Sequence, residues 1–174
     1  MEQAAIQTVC DVLGGSFSPT ETEAVLAATV PLRVPAGSTL VREGAQGSGL
    51  YFLLSGHVEI VKERRDGAGQ RLAVVDATSL LGELSLVTDG PHTASARALT
   101  DCELRVLGRS HFRRRLAADD LVAYKLLGAM AEVLARRLIR INETVLQLSS
   151  GAVAGGRVEE LDRLREKLFK DWAF

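Results

Sequence analysis

Cysteine is nearly absent from this chain. The two residues present, Cys10 and Cys102, have a spacing that matches no metal-binding or redox motif. A disulfide scaffold is therefore not expected, and a reducing, cytoplasmic setting is. Cys102 stands in an alternating apolar run and reads as a small core residue. An excess of charge of one sign is also lacking: 21 basic and 22 acidic side chains leave a net −1. No bulk field recruits nucleic acid, and the short runs Arg113-Arg114-Arg115 and Arg136-Arg137 read as solvated helix faces. Long hydrophobic runs are missing, and the opening Met1-Glu2-Gln3-Ala4-Ala5 carries no basic segment. Neither a membrane nor nucleic acid is expected as a partner of this chain by itself. Catalytic patterns are missing as well. There is no Ser-His-Asp order, no metal-ligand spacing and no GxxxxGK loop, and His57, His92 and His111 are scattered. No catalytic residue, metal ligand or cofactor is nominated, and an enzyme is not expected.

What is present is enough apolar sequence for one core, about half of 174 residues. Residues 1–14 read as a short helix with Ile6, Val9 and Leu13 on one side. Ser18-Pro19-Thr20-Glu21 is a capping box with proline at the first helical position, and it launches a helix through about Thr29 that Pro31 and Pro35 end. From Leu32 to Leu107 the pattern becomes short alternating runs punctuated by glycine, as in Leu50–Leu54, His57–Val61, Leu72–Val75 and Cys102–Val106. Many short strands with frequent turns predict an antiparallel barrel or sandwich. Helical spacing returns near Ser110, and 119–150 forms the longest helix candidate.

Along that helix Leu134, Leu138, Ile141, Val145, Leu148 and Ala152 follow steps of four and three, and the seam extends back to Leu127. A partner helix covering so narrow a seam predicts a parallel homodimer. After the glycine-rich Ser149–Gly156, residues 157–174 read as an amphipathic helix with Val158, Leu161, Leu164, Leu168 and Trp172 on one stripe. Its charges cancel, which disfavours an anionic membrane and favours docking on a neighbouring subunit or another protein.

One stretch carries chemistry. Leu81-Gly82-Glu83-Leu84-Ser85-Leu86 reads as the end of a strand, a tight glycine turn and a short helix whose first amides point forward at an anion. Glu83 at that start can accept hydrogen bonds from sugar hydroxyls. A short way on, Pro91-His92-Thr93-Ala94 places an imidazole where a fixed cation would close such a site.

These residues resemble the cyclic nucleotide-binding domain family, the sensor module of catabolite-activator-type regulators and of cyclic-nucleotide-gated kinases and channels. The resemblance covers roughly residues 15–148, through Arg42-Glu43-Gly44, Gly49–Gly56, Gly82–Leu86 and Ala96–Leu104. It implies an α+β fold: an antiparallel, jelly-roll-like β-roll with flanking helices and a long C-terminal dimerisation helix. The expected organisation is a β-roll with N-terminal helices over 1–118, the dimerisation helix over 119–150, and a glycine joint with tail helix over 151–174. The resemblance assigns the ribose 2′-hydroxyl to Glu83, cassette backbone to Gly82, Leu84 and Ser85, and the cyclic phosphate to His92 and Thr93. It sets Ile141 and Asn142 near the base.

Two departures shape the functional expectation. Family members normally carry arginine where His92 stands, and a neutral imidazole offers one donor where guanidinium offers a charged fork. Losing a charge-assisted hydrogen bond costs roughly 1.5–3 kcal/mol, about ten- to a hundred-fold in affinity. A partly protonated His92 would recover some of it. Arg97, five residues on, is expected on the opposite face. Secondly, the residues after Leu148 leave no room for a winged-helix domain, so sequence-specific DNA binding by this chain alone is not expected. The sequence thus predicts a regulatory sensor binding cyclic AMP or cyclic GMP weakly and signalling through protein contacts. The alternative is a dimeric scaffold that has lost its nucleotide or exchanged it, for instance for a cyclic dinucleotide.

Overall fold

The computed structural model describes residues 2–13, 17–63 and 69–153. Two N-terminal helices, α1 (Glu2–Leu13) and α2 (Pro19–Ala27), precede the strands. At the start of α2 the Ser18 amide donates to Glu21 Oε2 at 2.8 Å and the Glu21 amide to Ser18 Oγ at 3.3 Å, so both halves of the capping box form. Eight strands follow in two four-stranded antiparallel sheets. One sheet has the order β1 (Val30–Val34), β8 (Cys102–Gly108), β3 (Gly49–Ser55), β6 (Ser79–Leu81). The other has the order β2 (Thr39–Val41), β7 (Ser95–Ala98), β4 (His57–Glu63), β5 (Gly69–Asp76). A short helix α3 (Glu83–Thr88) leaves β6, and α4 (Arg109–Ala117) and α5 (Leu121–Val153) close the described chain. This is the expected antiparallel β-roll with flanking helices and a long C-terminal helix.

The strand β3 organises the core because both its faces are buried, as its unbroken apolar run requires. Leu50 and Phe52 point to a cluster shared with Val9, Leu13, Leu86, Phe112, Leu126 and Met130 from the helices. Tyr51 and Leu53 point the other way, into the space between the sheets, with Val34, Val58, Leu81, Ala96 and Leu104. Cys102 lies in that second cluster, as its alternation predicts.

Three expectations need correction. Pro31 does not merely end α2; it lies inside β1, opposite Arg105. It is tolerated there because β1 is an edge strand, where a missing amide donor costs no ladder bond. The long helix begins at Leu121, since Asp119 is left-handed (φ 54°) and the Asp120 carboxylate caps the next turn, accepting from the Val122 amide at 2.8 Å. It also runs through Gly151 to Val153, past the boundary expected at 150. The described residues divide into two compact units, one ending at Val133 and one beginning at Leu134. The tail stripe over 157–174 lies outside the described residues.

Candidate functional site

The turn from β6 into α3 depends on Gly82. Its φ is +84°, and a Cβ there would lie 2.5 Å from the Gly49 carbonyl oxygen and 3.1 Å from the Tyr51 ring. No other residue fits both the backbone conformation and the space. Glu83, the first residue of α3, is only 4% exposed, so a carboxylate is held inside the turn. Leu84 is exposed, while Leu86 enters the helical core. Ser85 is buried. Its hydroxyl donates to the Gly82 carbonyl at 3.0 Å and lies 3.4 Å from His92 Nδ1.

His92 therefore joins the turn, as expected, but it is 7% exposed and faces inward. Its backbone is clamped to the loop before β3. The Gly44 amide donates to the His92 carbonyl at 2.8 Å, and the His92 amide donates to Ala45 O at 2.9 Å. Burial, and after it the nearby Arg109 charge, push the imidazole below its ordinary pKa of 6.5. Without a bound anion its neutral form thus dominates at neutral pH. Thr93 is exposed, and its carbonyl accepts from Lys62 Nζ at 2.6 Å. Lys62 also pairs with Glu43 at 2.5 Å, and this hydrogen bond is the first cause of the lowered Glu43 pKa. Arg97 is exposed and paired with Glu59 at 3.8 Å, and His92 lies in the loop before β7, where strand alternation does not relate the two.

Sequence reasoning missed Arg109. From the first position of α4 its guanidinium reaches back across the turn, donating to Ser85 O at 2.8 Å and Gly90 O at 3.2 Å and pairing with the Asp89 carboxylate. Gly47 makes room for this: a Cβ there would fall 2.5 Å from Ser85 Oγ and 2.6 Å from Arg109 Nη2. Asp89 itself is left-handed, with φ 57°. Nothing local in the sequence ties Arg109 to a serine 24 residues earlier. Two aspartates near turns bond partners distant in sequence. Asp76 pairs with His57 Nδ1 at 2.7 Å, and Asp101 accepts from the Ala36 amide at 2.9 Å.

The residues assigned to the long helix divide between the units. Leu127 packs against the helical core of residues 1–133. Leu134, Leu138, Ile141, Asn142 and Val145 belong to the second unit, with Leu138 and Ile141 exposed. The side chain of Leu148 lies outside the described residues. Among the described residues no cluster of three His, Cys, Asp or Glu side chains is placed to hold a metal ion, and no helix is long and apolar enough to cross a membrane.

The family description "cyclic nucleotide-binding domain" matches residues 31–119. A CRP-like cAMP-activated global transcriptional regulator of Mycobacterium tuberculosis is 32% identical over 156 residues, 88% of this chain and 68% of that protein. A cAMP-dependent protein kinase regulatory subunit of Aspergillus fumigatus is 38% identical over 108 residues, 62% of this chain but only 25% of that protein. Among solved structures, a cyclic nucleotide-binding domain from Methylobacillus flagellatus superposes with a TM-score of 0.75 at 23% identity, covering 83% of this chain and 84% of that one. That last likeness bears on the fold alone.

Proposed function

This chain belongs to the cyclic nucleotide-binding domain family, and from that we propose that it is a cytoplasmic homodimeric sensor of a cyclic nucleoside monophosphate, cyclic AMP or cyclic GMP. The ligand sits against the β6–α3 turn, and the response passes through protein contacts. The observation that carries this reading is Glu83, a carboxylate 4% exposed at a turn that only glycine at 82 allows. The resemblance assigns the ribose 2′-hydroxyl to this carboxylate, which accepts hydrogen bonds from sugar hydroxyls. Ser85 and the exposed Thr93 add hydroxyls on the phosphate side. With a neutral imidazole at 92, affinity is set about ten- to a hundred-fold below a site closed by arginine.

A route for the response exists within residues 1–133. Leu86 of α3, Phe112 of α4, and Leu126 and Met130 of α5 share one core, and Arg109 ties α3 to α4 by hydrogen bonds. Calorimetric titration of cyclic AMP and cyclic GMP tests the reading, with Glu83→Gln as the control. Heat for the native chain that falls at least tenfold in affinity for the variant is the expected result. No heat at millimolar ligand would remove the nucleotide from the account. One observation favours the second reading, a scaffold without nucleotide or with another ligand: His92 is buried and neutral, so position 92 presents no charge to a phosphate.

A further inference from the structure

A cation that no sequence motif marks stands beside the loop of His92 and Thr93. Lys62 lies near the end of β4, an even number of residues from Val58 and Ile60. Strand alternation sets all three on one face, and Val58 and Ile60 turn that face into the space between the sheets. The Lys62 ammonium donates to the Thr93 carbonyl at 2.6 Å and to Glu43 Oε1 at 2.5 Å. The loop it reaches is fixed from the other side as well. The Glu43 amide donates to Ser95 Oγ at 2.9 Å, and the His92 backbone is paired with Gly44 and Ala45. Nζ is thus held against Thr93, one of the two residues that the proposed reading gives to the phosphate.

We infer that Lys62 is the cation of this anion site: it meets the phosphate of the ligand and returns part of the charge that position 92 lacks. The identity of the ligand rests on the nucleotide reading; the place of the charge rests on the Lys62 contacts. An ammonium carries three hydrogens on a rotating head. Among the described residues Glu43 and the Thr93 carbonyl take two of them, and the third is left to turn towards an anion. Other cations of the region are already committed. Arg109 is spent on Ser85 O, Gly90 O and Asp89, and Arg97 is paired with Glu59. Glu43 is not stranded when Lys62 turns away, because its second oxygen accepts from the Glu63 amide at 2.9 Å. An incoming phosphate therefore competes with the Glu43 carboxylate for one ammonium. Lys62 is a source of affinity, and Glu43 is a brake on it. A mere strut behaves differently: loss of either member of the pair would loosen the Thr93 loop and weaken binding alike.

Calorimetric titration of cyclic AMP, cyclic GMP and inorganic phosphate into the full chain and into Lys62→Met, Lys62→Arg and Glu43→Gln tests the assignment. Lys62→Met is expected to bind the nucleotide at least about tenfold more weakly, the loss of one charge-assisted hydrogen bond. Lys62→Arg should keep most of the affinity, and Glu43→Gln should bind more tightly than the native chain. Thermal melting shows whether each variant is folded; the pair is partly exposed, so its removal costs little stability. Should Lys62→Met not fold, the sign of the change in Glu43→Gln still decides between a cation and a strut. Nucleotide bound equally by the native chain and Lys62→Met would overturn the inference and leave the nucleotide reading standing. Equal losses in Lys62→Met and Glu43→Gln would overturn it too, making Lys62 a strut. Inorganic phosphate that binds the native chain and not Lys62→Met, with no heat from either nucleotide, would support the cation and remove the nucleotide. No heat from any of the three anions would overturn both.

Discussion

Substituting His92→Arg is expected to destabilise the ligand-free protein and strengthen nucleotide binding at the same time. The imidazole is 7% exposed, and its charged form is already disfavoured, first by burial and then by Arg109. Guanidinium cannot escape by deprotonating. Two like charges on neighbouring side chains at an effective dielectric of about 20 repel by a few kcal/mol. Partial extension of the longer side chain to solvent relieves some of this, leaving a cost of about 1–2 kcal/mol and a melting temperature lower by roughly 2–8 °C. A cyclic phosphate placed between the two cations reverses the sign. It removes the repulsion and adds a charge-assisted pair of roughly 1.5–3 kcal/mol, so affinity rises at least about tenfold. Differential scanning fluorimetry across a cyclic AMP and cyclic GMP series reads both effects on one sample. The variant should melt below the native chain without ligand and approach or pass it at saturation. A variant with unchanged melting and unchanged affinity would show that position 92 faces neither Arg109 nor the phosphate, and the charge argument would fail.

Because the folded His92 pKa lies below its ordinary 6.5, the unfolded chain takes up the proton first. Stability is therefore full above about pH 6.5 and declines as pH falls through the folded value; urea midpoints at pH 7.5 and 5.5 should differ less in His92→Gln, and an unaltered difference would refute the assignment. Arg109→Met should lower the melting temperature by roughly 5–10 °C, from lost charge-assisted bonds to Ser85 O and Gly90 O worth about 1.5–3 kcal/mol. The exposed Asp89 pair adds little to that loss. In the same variant the His92 midpoint, followed by nuclear magnetic resonance, should move up towards 6.5, since one of the two causes depressing it is gone. Gly82→Ala should cost at least about 1–2 kcal/mol for left-handed backbone before the 2.5 Å approach to Gly49 O is relieved, measured by chemical denaturation.

Local chemistry was legible and long-range closure was not. The Ser18–Glu21 capping box, the doubly buried β3 and the Gly82–Glu83 turn each follow from residue types a few positions apart. Their physical causes, N-terminal amides, period-two alternation and positive φ, act over that range. The burial of His92 was illegible because it sits in a loop, where alternation gives no inside or outside. Its lowered pKa was illegible with it, since burial is the first cause, and the second, the Arg109 charge, is brought near by the β8–α4 junction. Pro31 misled because proline marks a helix stop and an edge strand equally well, and only the strand order decides between them. Asp76 and Asp101 bond His57 and the Ala36 amide, 19 and 65 residues away, contacts that no local residue pattern announces.

Arg109 and His92 make sense as one arrangement of charge. The back of the β6–α3 turn already holds a guanidinium, fixed by Ser85 O, Gly90 O and the Asp89 carboxylate. A second permanent cation at 92 would strain the turn whenever no anion is bound. A neutral imidazole packed near Ser85 lets the turn close without one. Binding then adds little order to a turn that is already formed, so a ligand's affinity differs little between arrangements of α4 and α5 and shifts them little. On the proposed reading, the imidazole at 92 thereby lowers the coupling between occupancy and helix position. For a sensor built this way, the larger response is expected from loosening the Arg109 contacts that carry α3 to α4, and the smaller one from tuning the phosphate contact itself.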